Sequence, residues 1–201
     1  MSTAVMWLLL FVVVALGILI AALSKTKFTT QKIATIGIMA ALSFVAYEFF
    51  RIPNVLGTGS SFHLGNTALT ALMLDGVSGG LAGAIGLALA DIMAGDPGYA
   101  ITTFILKFII GIVCGVFAHK VFKLQDLSAA DGVKYYVAVI GSAFSGLLVN
   151  VFTDPFLGYF RNRYIFGQEA DLASTVAKIT SGVTLINSLL STVCAVDSRE
   201  L

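Results

Sequence analysis

The stretch Leu87–Phe108, LALADIMAGDPGYAITTFILKF, decides the fold class. Two apolar runs flank the turn sequence AGDPGY, and each run carries one charge, Asp91 in the first and Lys107 in the second. A bilayer core about 30 Å thick requires roughly 20 apolar residues per helical span. A charge at its centre costs about 2.5 to 3.5 kcal/mol on insertion scales, so such a residue is a candidate for function. The stretch therefore predicts two membrane helices that carry functional charges.

The composition of the whole chain agrees with a membrane protein. Of its 201 residues 58% are hydrophobic and 11% are charged, and the mean hydropathy is +0.95. Soluble domains carry far more charge. The net charge of +1 without a basic cluster excludes a nucleic-acid partner. Cys114 and Cys194 lie in apolar runs, which favours buried small hydrophobes over a disulfide or metal site, and no cofactor is indicated.

Hydropathy predicts an all-α integral membrane protein with seven spans. The expected spans are Ala4–Leu23, Lys32–Phe50, His63–Asp75, Gly79–Ala94, Tyr99–Val121, Tyr135–Phe156 and Leu172–Val196. The third and fourth are short and are expected to be tilted, locally thinned or partly re-entrant, but as a pair they return the chain to the side it left. The first has no basic n-region and no A-x-A cleavage site, so we interpret it as a retained helix rather than a signal peptide.

The distribution of basic residues predicts the orientation. Lys25, Lys27 and Lys32 follow the first span directly, which places its carboxyl end in the cytoplasm by the positive-inside rule. Residues 51–61 and 158–171 then form long external loops, each of which is a lid over a site or a solvated connector. The internal segment 123–134 is expected to be a plain linker.

Polar residues at helical spacing mark the outer half of four spans. The stripes are His63, Asn66 and Thr70; Tyr99, Thr103 and Lys107; Gly146, Asn150 and Asp154; Ser174, Lys178 and Ser181. Residues three or four apart share a helix face, and Asp91, Lys107, Asn150 and Lys178 lie roughly 6 to 12 Å below the external ends of their spans. The inner halves are mostly apolar. The pattern predicts a cup that is open to the outside and closed toward the cytoplasm.

Each member of this set has a simpler explanation. Asp91 and Lys107 form a structural ion pair, Asn150 and Asp154 satisfy local backbone, His63 is an interfacial histidine, or Lys178 snorkels to the interface. Another pattern has the same ambiguity: small residues recur at Ala82, Gly86 and Ala90. They indicate either close packing inside the molecule or a docking face for another membrane protein.

Two other functional classes compete with binding. The sequence GSAFSG at residues 141–146 is similar to the nucleophile motif of rhomboid proteases, with Ser145 as nucleophile and His63 or His119 as base. Position 143 is Ala where that motif has Gly, and His119 lies at the cytoplasmic end of its span. A membrane scaffold is the other alternative, and it leaves the polar stripes unexplained.

Four segments together resemble the substrate-binding S component of energy-coupling factor (ECF) transporters, in the riboflavin-transporter branch. They are KIATIGIMAALSFV, SSFHLGNTALTALML, GGLAGAIGLALADIM and YAITTFILKFIIGIVCG. The resemblance implies a six-helix domain, residues 25–201, that captures a vitamin from outside. Residues 1–24 are an extra N-terminal transmembrane helix relative to that family.

The resemblance also implies partners. S components associate with a transmembrane T component and two cytoplasmic ATPases in the prokaryotic plasma membrane, and small residues on the first family helix contact the T component. Ala34, Gly37 and Ala41 match that spacing here. The sequence has no G-x-x-x-x-G-K-[ST] phosphate loop, so ATP chemistry has to come from another chain.

The expected ligand is a small heterocycle: riboflavin, pyridoxine or a thiamine precursor. Ring stacking is expected from Tyr99, Phe62 and Tyr159. The full set of predicted binding residues is Phe62, His63, Asn66, Asp91, Tyr99, Thr103, Lys107, Asn150, Asp154 and Lys178.

Overall fold

The protein is a bundle of apolar α-helices. The computed structural model describes residues 3–50, 52–53, 61–62, 66–95 and 97–197. Within these residues the helices are α1 Thr3–Lys25, α2 Thr30–Phe50, α3 Thr67–Met73, α4 Gly76–Met93, α5 Pro97–Val116, α6 Val133–Phe160 and α7 Ala170–Asp197. Five helices of the described chain are long and apolar enough to cross a membrane, and Leu10–Lys25 is a shorter apolar helix. The predicted all-α membrane fold is confirmed.

The connections contain more structure than the sequence indicated. Two short antiparallel strands, β1 Ile52–Pro53 and β2 Ser61–Phe62, pair within the first external loop. The predicted internal linker contains two 3-10 turns and buries Leu124 completely. The second external loop was predicted to be long, but α6 and a π-helical turn, Arg161–Ile165, occupy most of it. The expectation that residues 158–171 form a long loop is therefore wrong, because helix occupies most of the segment.

The third predicted span is much shorter than a membrane crossing. α3 has seven residues and rises about 10 Å. Its N-terminal neighbour Asn66 donates to the Met39 carbonyl in the middle of α2 (3.0 Å), whereas Asp75, just after α3, pairs with Lys32 near the start of α2 (2.7 Å). α3 therefore covers only the half of the bundle that contains the start of α2, and α4 crosses back from there.

Asp75 fixes the start of α4. Its Oδ1 accepts hydrogen bonds from the Val77 and Ser78 amides at 3.0 Å, as an N-cap does. Burial raises the pKa of the Asp75 carboxyl. The Lys32 ammonium and the Ser78 donors together lower it by more than burial raises it, so the net pKa lies below its ordinary value. The ionised carboxylate therefore ties the ends of α2 and α4 together.

α4 lies at the centre of the bundle because glycines let its neighbours touch its backbone. A Cβ at Gly80 would lie 2.8 Å from the Phe108 carbonyl oxygen of α5, and one at Gly86 would collide with the Ala40 carbonyl of α2. Ala82 and Ala90 on the same helix are fully buried. Of the two explanations for the small-residue stripe, packing inside the molecule is the correct one.

The half of the bundle that contains the starts of α2, α4 and α6 is filled by an apolar core. Its buried members come chiefly from α3, α5 and α6 and include Leu72, Ile110, Cys114, Val139 and Leu147. A packed apolar core therefore fills the half of the bundle that is predicted to face the cytoplasm.

Gly111→Ala tests the backbone contact between α4 and α5. A Cβ at position 111 would lie 2.9 Å from the Gly76 carbonyl oxygen and closer still to the Gly80 backbone. Overpacking of this kind costs about 1 to 3 kcal/mol, so we expect a lower melting temperature in detergent. Gly182→Ala is the matched control, because a Cβ there meets nothing within 4 Å. Equal melting temperatures for the two variants would contradict the proposed contact.

Candidate functional site

A polar cavity lies between α2, α4, α5, α6 and α7, at the ends of these helices that are predicted to be external. Its polar lining comprises Tyr47, Asp91, Tyr99, Thr103, Lys107, Asp154, Arg161, Asn162, Thr180, Thr184 and Asn187. Asp91, Tyr99, Thr103, Lys107 and Asp154 belong to the set predicted from the sequence. The structure thus brings together residues from three of the predicted spans.

Asp91 is buried near the outer end of α4 and accepts hydrogen bonds from two neighbouring helices. Tyr47 of α2 donates its hydroxyl to Oδ1 at 3.2 Å, and Thr103 of α5 donates to Oδ2. Asp91 is 4% exposed, so these donors replace much of the hydration that the carboxylate loses. Tyr47 was not predicted, because a single tyrosine in an apolar span gives no periodic signal.

Asp154 of α6 forms the second carboxylate centre. The Tyr99 hydroxyl of α5 donates to its Oδ1, and the Thr184 hydroxyl of α7 donates to its Oδ2 at 2.9 Å. One side chain therefore connects three helices. This arrangement differs from the simpler expectation that Asp154 satisfies only local backbone.

Lys107 of α5 lines the same cavity as Asp91 of α4 and Asp154 of α6. It is half-buried and is close enough to Asp154 and Asp91 to interact electrostatically with both. Asp91 accepts hydrogen bonds from Tyr47 and Thr103, so its carboxylate does not depend on Lys107 alone for stabilisation. Lys107 therefore brings a cationic side chain to a cavity that also contains two acidic side chains.

The π-helical turn after α6 adds a second cation. The Arg161 guanidinium lies over the Tyr99 ring, 4.1 Å from its centroid, and 5.4 Å from the centroid of Phe166. Sequence reasoning missed Arg161 and Asn162 because it assigned them to a loop. π-helical turns frequently occur at functional sites, and this one places Arg161 and Asn162 in the lining of the cavity.

A deeper compartment continues from the cavity. Lys107, Asp154, Thr184 and Asn187 line both spaces, and Thr67 and Asn150 line only the deeper one. Asn150 and Thr67 are 5% and 3% exposed. Within the described part of the chain, Asn150 Oδ1 and Thr67 Oγ1 have no hydrogen-bond partner. Such atoms call for a polar group of a ligand or water.

The remaining predicted residues lie elsewhere. Asn66 donates to Met39 and accepts from the Ser43 hydroxyl, so it anchors α3 on α2. Lys178 is exposed in a separate groove on the outside of α6 and α7, and does not line either compartment. Phe62 belongs to β2, and its side chain and the whole of His63 lie outside the described residues.

A different face of α7 supplies the cavity. Its inward residues are Thr180, Thr184, Asn187, Ser188 and Ser191. Their spacing of three or four residues is visible in the sequence. The prediction rested instead on the stripe of Ser174, Lys178 and Ser181, because only that stripe contains a charged residue. Hydroxyl residues are common in apolar helices, so this stripe did not stand out.

The two compartments are small in this conformation, with volumes of about 60 and 40 Å³. Sites for drug-sized ligands measure about 300 to 1,000 Å³. Both compartments are therefore smaller in this conformation than a site for such a ligand.

The described residues contain neither a hydrogen-bonded Ser145–His119 pair nor a metal site. Ser145 donates to the Ser142 carbonyl at 2.8 Å, and the His119 ring contacts the Ala71 carbonyl oxygen and the Gln125 side chain. Among the described residues, no three His, Cys, Asp or Glu side chains are placed to hold a metal ion.

The chain matches a known protein family over most of its length. Residues 27–196 match the family described as ECF-type riboflavin transporter, S component. No curated protein and no solved structure matches the chain. The matched region begins after α1 and includes all the cavity residues.

Thr184→Val tests the link between α6 and α7. The variant removes one donor from the half-buried Asp154 carboxylate, and hydrogen bonds between membrane helices contribute about 1 kcal/mol, so we expect a lower melting temperature in detergent. Thr175→Val is the matched control, because Thr175 is exposed on the same helix and donates only to the Asp171 carbonyl. A melting temperature that falls equally in both variants would contradict a specific role for Thr184.

Proposed function

Since the chain belongs to the S components of ECF-type riboflavin transporters, we propose that it captures a vitamin-like heterocycle in the cavity described above. S components are the substrate-binding subunits for vitamin uptake. Riboflavin is our first choice of substrate because the matched family is described by it. Pyridoxine and a thiamine precursor are the alternatives.

The observation that carries this proposal is the convergence of ionisable side chains in one cavity. Asp91 and Asp154 offer carboxylate acceptors, and Lys107 offers a donor in the same cavity. Small-molecule sites use a few polar groups among many apolar ones to fix the orientation of the ligand. The closed apolar core below the cavity favours capture from the external side.

We assign different tasks to these groups. The carboxylates accept N–H or O–H groups of the heterocycle, and Lys107 donates to a ring carbonyl or nitrogen. Asn150 and Thr67 bind a polar arm of the ligand in the deeper compartment. Arg161 covers one face of the Tyr99 ring, so only the other face is available for stacking.

Transport requires other subunits in this proposal. A T component and two cytoplasmic ATPases supply ATP hydrolysis and inward delivery, and the assembly works in the prokaryotic plasma membrane. Ala34, Gly37 and Ala41 are all exposed on α2, and a Cβ at Gly37 meets nothing within 4 Å. This surface is our candidate for contact with the T component.

The N-terminal helix is the departure from a six-helix S component. We propose that residues 1–24 form an additional transmembrane helix and that residues 25–201 form the S-component domain. α1 packs against α5, and the three small residues on α2 are exposed. The extra helix is therefore compatible with docking at α2.

Lys107→Gln tests the binding site. We expect riboflavin affinity, measured by quenching of riboflavin fluorescence, to fall at least tenfold, because a charged donor of the cavity is lost and a hydrogen bond to a charged group contributes about 1.5 to 3 kcal/mol. Pyridoxine and the thiamine-precursor pyrimidine are titrated in parallel by calorimetry. Mass spectrometry of small molecules released from the purified protein then shows which one is carried from the cell.

Lys178→Gln is the matched control, since it removes the same charge from the outer surface of the bundle. It should keep the affinity of the unmodified chain. Equal affinity in Lys107→Gln and the unmodified chain would contradict the assigned role of Lys107. Failure of all three ligands to bind would favour the scaffold alternative.

Gly37→Leu tests the docking surface on α2. A bulky side chain prevents close helix approach, so we expect the T component to be lost from co-purified complexes while riboflavin affinity is unchanged. Gly182→Leu places the same side chain on α7, also where nothing lies within 4 Å, and should keep the complex. Loss of the complex in both variants, or in neither, would refute the assignment.

A further inference from the structure

A second concave surface lies on the outside of the bundle, between α6 and α7. Its aromatic wall comes from Phe156, Tyr159 and Phe160 of α6, and its other wall from Ser174, Lys178 and Ser181 of α7. We call it the α6–α7 groove; its volume is about 430 Å³. Large rings on one helix opposite small side chains on the other leave this space unfilled.

Lys178 is an unusual residue for this surface. It is exposed, and it lies about 12 Å below the start of α7 at 1.5 Å rise per residue. No carboxylate among the described residues forms an ion pair with Lys178. A lysine in contact with lipid is stabilised when its stem carries the ammonium toward the headgroups and an anion meets it there.

The groove also suits a hydrocarbon chain. Phe156 is 42% exposed, and its ring contacts the Phe160 ring edge to face at 4.8 Å. Tyr164 stacks on Phe160 at the outer rim, 5.7 Å between centroids. Aromatic residues at this level mark the membrane interface. The groove thus has an apolar floor within the hydrocarbon and a cation with two flanking hydroxyls beside it.

We propose that the α6–α7 groove binds an acidic phospholipid of the leaflet at the outer end of α7. The lipid phosphate pairs with Lys178 and accepts from the Ser174 hydroxyl, and one acyl chain lies along Phe156 and Phe160. An acidic lipid is favoured over a zwitterionic one, because the headgroup of a zwitterionic lipid contains a positive group that would lie close to the Lys178 ammonium.

A protein occupant fits this surface less well. A symmetric dimer across the groove uses the same surface patch twice, so a partner for Lys178 would have to come from the lining of the groove itself. That lining contains no acidic residue. A partner helix would bury the ammonium without water and would have to supply an acid. The groove is also distinct from the α2 surface, because α2 packs on α4 whereas α6 packs on α7.

Native mass spectrometry of the full chain tests this lipid site. The protein is released from nanodiscs containing equal amounts of phosphatidylglycerol and phosphatidylcholine, and the ratio of the two retained lipids is measured. We expect phosphatidylglycerol to be enriched on the unmodified chain and its enrichment to fall about fivefold in Lys178→Gln, which corresponds to about 1 kcal/mol per basic residue. Lys178→Arg should keep the enrichment.

Arg163→Gln is the matched control, because it removes an exposed positive charge close to the same end of the bundle. It should leave the enrichment intact. An equal loss in Arg163→Gln would show that the lipid follows the general surface charge and would overturn the site. Equal retention of both lipids by the unmodified chain, or a dimer that disappears in Lys178→Gln, would overturn it as well. Lys178 is exposed, so all variants should melt at the temperature of the unmodified chain.

Discussion

Direct backbone contact around α4 is the constraint on which the structure depends. Lipid offers no hydrophobic drive for helix association, so close van der Waals contact has to supply it. Gly80 and Gly86 let α5 and α2 approach the α4 backbone on different sides. Because both helices lie so close, hydroxyls from each reach Asp91 at the end of α4. Packing of small residues in the inner half therefore positions the chemistry of the outer half.

The cavity balances its charges within a small space. Two carboxylates, Asp91 and Asp154, share it with Lys107 and Arg161, and each carboxylate has hydroxyl donors from two helices. Burial of unpaired charge costs far more than burial of a paired and hydrogen-bonded one. A neutral set of this kind is compatible with a membrane interior and suits a ligand without strong net charge.

The sequence predicts the architecture better than the site. Apolar run length is sufficient to place α4 to α7, because a bilayer imposes it, whereas α3 is set by the contacts of Asn66 and Asp75 and has no length signal. Polar spacing correctly places Thr103 and Lys107 on one face of α5. On α7 the same rule selects Lys178, although Thr184 faces the cavity. Periodicity defines a face and does not say which face points inward; the decision belongs to packing against α6.

In the proposed capture of a heterocycle, the hydrogen bonds already present in the cavity determine where binding energy comes from. Asp91 and Asp154 already accept hydroxyls of the protein, so a ligand that donates to them exchanges one hydrogen bond for another and gains little from that step. Asn150 Oδ1 and Thr67 Oγ1, in contrast, lack partners among the described residues, and leaving a buried polar group unsatisfied costs about 1 to 3 kcal/mol. A ligand that reaches these two atoms removes that cost. Affinity should therefore depend on the part of the ligand that enters the deeper compartment, and orientation on the part that meets the carboxylates.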